Sequence, residues 1–226
     1  MNIGIDIDDT LSESLEATDY YAKEYTETIL KRKFDMKKVK EYNNTWYLEV
    51  YGWTQKEDDD FFRLYQYKIL QNAKPKKDVQ EVIKSISNNN RIIIITAREK
   101  ELKDITIKWF EDNNIKFDDI IFEQKDKIIA AKENHIDLFI DDNYKICKSI
   151  SENGIKALLM NSRINSKIKL EQIIRVYNWK DIERIILNMY ARFWYYVQNV
   201  DVRIVIISDI TIMERMEKNG IIRCLW

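Results

Sequence analysis

An acidic stretch near the start of the chain, Ile5-Asp6-Ile7-Asp8-Asp9-Thr10, holds the residues best suited to chemistry. It follows a short, mostly apolar run, Met1-Asn2-Ile3-Gly4, which predicts a buried strand with Asp6 at its C-terminal end. Two carboxylates spaced two apart would then lie where a parallel α/β sheet opens its ligand crevice. Such charges repel one another unless a cation or a proton relieves them. Taken alone, the stretch fits equally well an acidic turn that caps the next helix.

Three further polar groups stand at the end of a predicted strand or just after one. Because the carboxyl ends of parallel strands meet at one edge of a sheet, we expect these groups to converge with Asp6 and Asp8. Thr96-Ala97-Arg98 follows the run Arg91–Ile95, Lys127 comes after the run Asp119–Phe122, and Asp141-Asp142 follows the run Leu138–Ile140.

In type and order, these four signals resemble the motifs of the haloacid dehalogenase superfamily of phosphotransferases: DxDx(T/V), a Thr or Ser, a Lys and an acidic pair. The match covers roughly the first three quarters of the chain. More narrowly, the chain resembles small bacterial nucleotidase-like proteins related to the 5'(3')-deoxyribonucleotidases. Alternating strands and helices predict an α/β fold, a Rossmann-like parallel sheet with helices on both faces. The resemblance implies a small helical cap inserted after the first strand.

The resemblance also gives each motif residue a role in phosphoryl transfer. Asp6 would be the nucleophile that forms an aspartyl-phosphate, and Asp8 the general acid that later serves as the base. Thr96, a backbone N–H near Ala97 and Lys127 would bind the phosphate oxygens. Lys125 and Lys132 are rivals of Lys127, which we prefer because it opens the helix that leads to Asp141.

A carboxylate that approaches an anionic phosphate is repelled unless a cation bridges the two, so we expect Mg²⁺ as the cofactor. The resemblance implies that Asp6 and the backbone carbonyl of Asp8 bind the ion, with Asp141 and Asp142 completing the site. Which of Asp141 and Asp142 binds directly stays open. Arg98 is expected either to bind the substrate phosphate or to pair with the cap.

Aromatic residues crowd the predicted insert, in which no strand pattern occurs. We expect most of them to form the core of the cap and one to offer a stacking surface for a nucleobase. The sequence therefore favours a small phosphomonoester as substrate, in particular a (deoxy)nucleoside monophosphate; a sugar phosphate or another metabolite is the alternative. The aromatic residues are Trp46, Tyr47, Tyr51 and Trp53.

We expect three segments along the chain. The last segment predicts a strand over 202–208 and a weak helix over 210–218, and its role is unknown. The segments are an α/β core domain formed by residues 1–12 and 74–195, a helical cap formed by 13–73, and a C-terminal extension over 196–226.

Composition restricts the classes of partner. The 226 residues carry a net charge of −1, so nothing suggests a nucleic acid polymer or a membrane. The two cysteines, Cys147 and Cys224, have no metal-like spacing, and no signal peptide pattern opens the chain, so we expect a cytoplasmic location. His135, the only histidine, is expected to be structural. The oligomeric state is not predicted.

Two readings outside the phosphatases compete with this hypothesis. A phospho-accepting receiver module also combines acidic residues, a Thr and a Lys on a parallel sheet. Receivers, however, have no helical insert after the first strand, and their phosphorylated Asp lies on a later strand. A binding protein that has lost catalysis is the other alternative, and the presence of every motif residue argues against it.

Overall fold

The computed structural model describes residues 1–41, 47–170, 173–198, 202–207, 210–217 and 220–225, with side chains except at Tyr47 and from 191 onward. Six strands form one sheet in the order β3-β2-β1-β4-β5-β6, and every neighbouring pair is parallel. The strands are β1 Asn2–Ile5, β2 Arg91–Ile95, β3 Asp119–Ile121, β4 Leu138–Asp141, β5 Lys156–Met160 and β6 Ile174–Val176.

This strand order confirms the predicted Rossmann-like α/β fold. From β1 the chain crosses first toward β2 and β3, and later to β4 and beyond on the other side of β1. Right-handed crossover connections that run toward opposite edges of a sheet place their helices on opposite faces, so both faces are covered. The strand order reverses between β1 and β4, which is where a sheet of this kind opens a ligand crevice at its carboxyl edge.

The central strands are apolar because both of their faces are covered. Residues Ile92–Ile95 are almost fully buried, as expected of a parallel strand between two helical layers. On β1, Gly4 faces the ring of Phe139 so closely that a Cβ atom at position 4 would lie 2.6 Å from Phe139 Cδ2. A glycine is therefore required if β1 and β4 are to pack as they do.

Helices connect the strands, and two of them show how local sequence sets their starts. Thr54 and Glu57 form a reciprocal capping box that begins the helix Gln55–Asn72. The side chain of Asn143 accepts the backbone N–H groups of Lys145 and Ile146 and begins the helix after β4. The α-helices are α1 Ser14–Glu24, α2 Met36–Glu41, α3 Tyr47–Tyr51, α4 Gln55–Asn72, α5 Val79–Ile86, α6 Lys103–Asp112, α7 Ile128–Glu133, α8 Tyr144–Glu152 and α9 Trp179–Gln198.

Helices α1 to α4 lie between β1 and β2 along the chain and share their own apolar cluster, here called the cap cluster. The chain leaves and re-enters the sheet region through two paired segments. Ser12 bridges Pro75, and the Glu13 N–H donates to the Lys74 carbonyl over 2.7 Å. The boundaries that we predict for the cap stay a prediction. The buried members of the cap cluster are Ala22, Tyr25, Phe34, Val39, Val50, Trp53, Phe61, Tyr65 and Ile69.

The chain divides into two compact units, Met1–Asp181 and Ile182–Trp226. In the second unit, β7 Val202–Ile207, β8 Ile210–Glu217 and β9 Gly220–Leu225 form an antiparallel sheet. The weak helix predicted over 210–218 is therefore wrong for the described residues 210–217. These residues pair on both sides, and a local pattern does not reveal pairing with distant strands. Within the described ranges, no helix is long and apolar enough to span a membrane.

Candidate active site

Three carboxylates meet at the carboxyl edge of the sheet, beside the point where the strand order reverses. Asp6 directly follows β1, and its N–H donates to the Ile140 carbonyl over 3.0 Å. Asp141 ends β4 and Asp142 follows it. One carboxylate oxygen from each of the three residues lies within 4.8 Å of the others, and all three residues are buried. Buried carboxylates this close together need positive charge nearby.

Lys127 supplies part of that charge. It lies at the N-terminal end of α7, and its buried Nζ donates to Asp6 Oδ1 in a close contact and to Asp141 Oδ2 at 2.7 Å. Of the two other candidate lysines, Lys125 is exposed, and Lys132 lies on the surface, where its Nζ donates to Asn153 Oδ1. Among the three lysines, Lys127 is thus the one that the structure brings to the acidic residues.

The electrostatics of this cluster show a shortage of positive charge. Burial raises the pKa of Asp6 to about 7, although Lys127 acts in the opposite direction. Burial and the charge of Asp141 also raise the pKa of Asp142 well above its ordinary value. Burial alone would lower the pKa of Lys127, but Asp6 and Asp141 outweigh it and the pKa is raised. One ammonium therefore faces three carboxylates.

The donor set fits a hard divalent cation. Carboxylate oxygens are the ligands that Mg²⁺ prefers, whereas zinc favours nitrogen and sulfur. If all three acids ionise, one ammonium leaves two negative charges uncompensated, and a divalent ion has the charge to balance them. Asp6, Asp141 and Asp142 can therefore hold a divalent metal ion.

Asp8 is held by Arg98, a contact that the sequence did not predict. The Arg98 guanidinium donates from Nε to Asp8 Oδ2 at 2.9 Å and from Nη2 to Oδ1 at 2.7 Å, while Nη1 donates to Thr106 Oγ1 at 3.1 Å. Burial acts to raise the pKa of Asp8, but Arg98 outweighs it, and the net pKa lies below the ordinary value. Arg98 thus binds the second carboxylate of the acidic stretch, and its role in binding the substrate phosphate stays a prediction.

Thr96 and Ala97 follow β2 at the same edge of the sheet. Ile5 is paired with Ile94 on one side and with Ile140 on the other, which brings the ends of the three strands level. Thr96 is buried and its Oγ1 accepts the Arg98 N–H at 3.2 Å, whereas Ala97 is exposed. Their phosphate-binding roles stay predictions.

The four aromatic residues predicted to offer a stacking surface are described by the structure only in part. Trp46 lies outside the described residues, and the side chain of Tyr47 is not described. Trp53 is buried in the cap cluster, where its Nε1 donates to Thr26 Oγ1 at 3.0 Å. The Tyr51 ring packs against the same cluster, and its hydroxyl donates to Asp19 Oδ1 at 2.6 Å. These contacts serve the packing of the cap helices, and a stacking role stays a prediction.

Two residues near the acidic cluster were missed by sequence reasoning. Asn165, in the loop after β5, donates from Nδ2 to the carbonyls of Asp142 at 2.7 Å and Met160 at 2.8 Å. The sequence feature that could have identified Asn165 is its position after the carboxyl end of β5, the strand that pairs with β4. Asp9 has a positive φ of 58° and accepts the Leu15 N–H at 2.9 Å. The capping turn considered for the acidic stretch therefore exists, and Asp9 forms it.

Comparison with known proteins agrees with this arrangement. The family described as "5' nucleotidase, deoxy (Pyrimidine), cytosolic type C protein" matches residues 1–193. A nucleotidase of Clostridium acetobutylicum is 32% identical over 193 residues, which is 85% of this chain and 96% of that protein.

Solved structures share the fold at low identity. A haloacid dehalogenase-like hydrolase of Streptococcus pneumoniae superposes with a TM-score of 0.60 at 15% identity, covering 84% of this chain and 97% of that one. A haloacid dehalogenase superfamily hydrolase of Geobacter sulfurreducens gives 0.58 at 12% identity, covering 81% and 95%. The chain therefore shares the fold of these hydrolases, and since the family match spans the acidic stretch, the lysine and the acidic pair, it belongs to the cytosolic type C 5' nucleotidase family.

Proposed function

We propose that the protein is a Mg²⁺-dependent 5'-nucleotidase that hydrolyses (deoxy)nucleoside monophosphates through an aspartyl-phosphate on Asp6. The observation that carries this proposal is the cluster of Asp6, Asp141 and Asp142 around Lys127, in a chain of the nucleotidase family. The bound metal ion would neutralise charge on the phosphate and on the three carboxylates. Nothing in the cluster calls for a polymer as substrate, and the cytosolic description of the family supports a cytoplasmic location.

In the first step, a carboxylate oxygen of Asp6 attacks phosphorus as the bond from phosphorus to the leaving oxygen breaks. Asp8 gives its proton to that oxygen, so the nucleoside leaves as a neutral alcohol. Lys127 contacts Asp6 and therefore lies close to the charge that develops on the transferred phosphoryl group. Thr96 and the backbone near Ala97 orient the remaining phosphate oxygens.

In the second step, water attacks the phosphorus of the aspartyl-phosphate. Asp8 accepts a proton from this water, the bond from phosphorus to the Asp6 oxygen breaks, and inorganic phosphate is released. Asp6 returns as a carboxylate and Asp8 as an acid. One residue thus serves first as acid and then as base, which requires that Asp8 can exist in both forms at the working pH.

The ion pair with Arg98 bears directly on that requirement. Free of substrate, Arg98 favours the ionised form of Asp8. We infer that phosphate oxygens compete for the guanidinium as substrate binds. The loss of positive charge and the arrival of negative charge beside Asp8 both raise its pKa, which allows it to carry the proton that the first step needs.

The test is a hydrolysis screen that compares nucleoside 5'-monophosphates, ribo and deoxy, with hexose and triose phosphates, with Mg²⁺ and with a chelator. We expect nucleotides to have the highest kcat/KM and chelation to abolish turnover. If hexose phosphates outrank every nucleotide, the nucleotidase proposal fails and the enzyme is a sugar phosphate phosphatase.

Two variants test the roles in the same assay. Asp6→Asn should show no turnover, because the amide lacks the carboxylate oxygen that attacks phosphorus. Asp8→Asn should keep phosphate binding and lose about 10²- to 10⁴-fold in kcat, as expected for a lost acid and base. Turnover at the wild-type rate in Asp6→Asn would contradict the assignment of the nucleophile.

A further inference from the structure

A polar cleft of about 420 Å³ adjoins the acidic stretch. Asp9, which follows the proposed acid Asp8 in the chain, forms part of its wall. None of the described residues that line the cleft is aromatic, so its described wall offers polar groups for hydrogen bonds. Asp19, Ser162 and Arg163 belong to the same wall.

Two neighbouring residues of this wall carry polar atoms that lack a partner among the described residues. Ser162 Oγ and Arg163 Nε are both shielded from solvent and make no hydrogen bond there. A buried polar group left in this state is destabilising, so such atoms are uncommon unless something else binds them. Both atoms can donate a hydrogen bond, and the serine hydroxyl can also accept one.

Both terminal nitrogens of the Arg163 guanidinium contact Asp19. Its Nη1 donates to Asp19 Oδ2 at 2.7 Å and its Nη2 to Asp19 Oδ1 at 3.3 Å. Asp19 in turn accepts the hydroxyl of Tyr51. The guanidinium is therefore held from the side of α1 and α3, while its Nε–H has no acceptor among the described residues.

The backbone of Ser162 is linked to the acidic pair through Asn165. Its backbone N–H donates to Asn165 Oδ1 at 3.2 Å, and the same Asn165 donates to the carbonyl of Asp142. The wall of the cleft is thus tied through one side chain to the main chain of the acidic pair. A change of rotamer would redirect the Ser162 hydroxyl without moving the backbone.

We propose that Ser162 and Arg163 form a subsite for the leaving group, and that this subsite binds an oxygen acceptor, either a sugar hydroxyl or a base carbonyl. The inference rests on the proposed hydrolysis of a phosphomonoester at Asp6, because the leaving group must extend from the phosphate into a neighbouring space. Selectivity would then come from hydrogen bonds in the cleft, whereas a purely aromatic pocket would select by stacking.

The test measures selectivity, defined as kcat/KM for a substrate divided by kcat/KM for phenyl phosphate, whose leaving group has no oxygen besides the ester oxygen. The substrates are uridine and adenosine 5'-monophosphate and ribose 5-phosphate. Ser162→Ala should lower selectivity about three- to tenfold, and the double variant Asp19→Asn, Arg163→Met about tenfold or more, as expected for lost neutral and charged hydrogen bonds. Asp19 is changed together with Arg163 so that no buried carboxylate loses its cation.

The substrates separate the two sources of the acceptor, because adenine has no carbonyl group. A loss for both nucleotides and for ribose 5-phosphate assigns the acceptor to the sugar, and a loss for uridine monophosphate alone assigns it to the base. Arg63→Gln, which removes an exposed ion pair with Asp60 on α4, is the control and should leave every selectivity unchanged.

A melting experiment distinguishes recognition from a structural role. Because Ser162 Oγ has no partner to lose among the described residues, Ser162→Ala should melt no lower than wild type. Unchanged selectivity in both variants overturns the subsite. If wild type prefers ribose 5-phosphate to nucleotides, the nucleotidase proposal alone fails and the variants still test the subsite. If wild type prefers none of these substrates to phenyl phosphate, both proposals fail.

Discussion

The metal-free protein should lose stability as the pH rises through the range in which Asp6 ionises. Its folded pKa is about 7, raised by burial from an ordinary value of 3.8. Between these two values the folded protein holds a proton that the unfolded chain has released. Folding is therefore favoured at the acid end of the window, and the advantage is lost as the pH approaches the folded pKa.

The magnitude follows from the distance between the two pKa values. Each pH unit in the window corresponds to about 1.4 kcal/mol, so the whole window is worth on the order of 4 kcal/mol for Asp6. Between pH 5.5 and 7.5, Asp6 by itself should account for a loss of about 2 kcal/mol. Asp9 and Asp142 are raised in the same direction and add to this slope.

The assay is urea unfolding at several pH values between 5.5 and 7.5, in EDTA and in excess Mg²⁺. In EDTA the free energy of unfolding should fall with pH; at pH 7.5, Mg²⁺ at about 100 times its Kd should restore roughly 2.7 kcal/mol. Asp6→Asn should flatten the slope in part, because Asp9 and Asp142 remain. A free energy that is constant or rises with pH in EDTA, or no response to Mg²⁺, would refute this reasoning.

Three further outcomes are expected. Arg98→Met leaves Asp8 and the buried Thr106 without their partner and should lower the free energy of unfolding by about 1–3 kcal/mol. Arg98→Lys should recover only part of this loss, because an ammonium cannot form the two-pronged contact with the carboxylate. Gly4→Ala places a Cβ atom against Phe139 and should cost about 1–3 kcal/mol in urea unfolding; a wild-type midpoint would contradict the packing of β1 on β4. Thr54→Ala removes a helix cap and should cost about 1 kcal/mol, whereas Thr54→Ser should retain most of it.

The sequence predicted which strand ends form the acidic cluster, because the position of a residue on a parallel strand decides at which edge of the sheet it lies. Asp6 follows one strand and Asp141 ends another, and parallel strands bring such positions to one edge whatever their separation along the chain. Lys127 could be preferred over its neighbours because it opens the helix that leads to Asp141. The start of the helix Gln55–Asn72 is also set locally, because Thr54 and Glu57 form a capping box within four residues.

Contacts between loops could not be predicted in the same way. Arg98 reaches Asp8 across 90 residues of chain, and Asn165 reaches the carbonyl of Asp142 from a loop that carries no motif. No regular spacing relates a loop side chain to its partner, because the partner depends on where two irregular segments meet. The same reason hid the polar cleft beside Asp9, whose wall includes loop residues after β5.

The sequence by itself determined the fold class, the order of the motifs and the placing of the acidic motif residues and the motif lysine at one sheet edge. The tertiary structure decided what their neighbours do: Trp53 packs inside the cap cluster, and residues 210–217 form a strand where a helix was expected. Periodicity and residue type report burial on one face of one element, whereas the identity of the surface that buries it is a property of the whole packed chain.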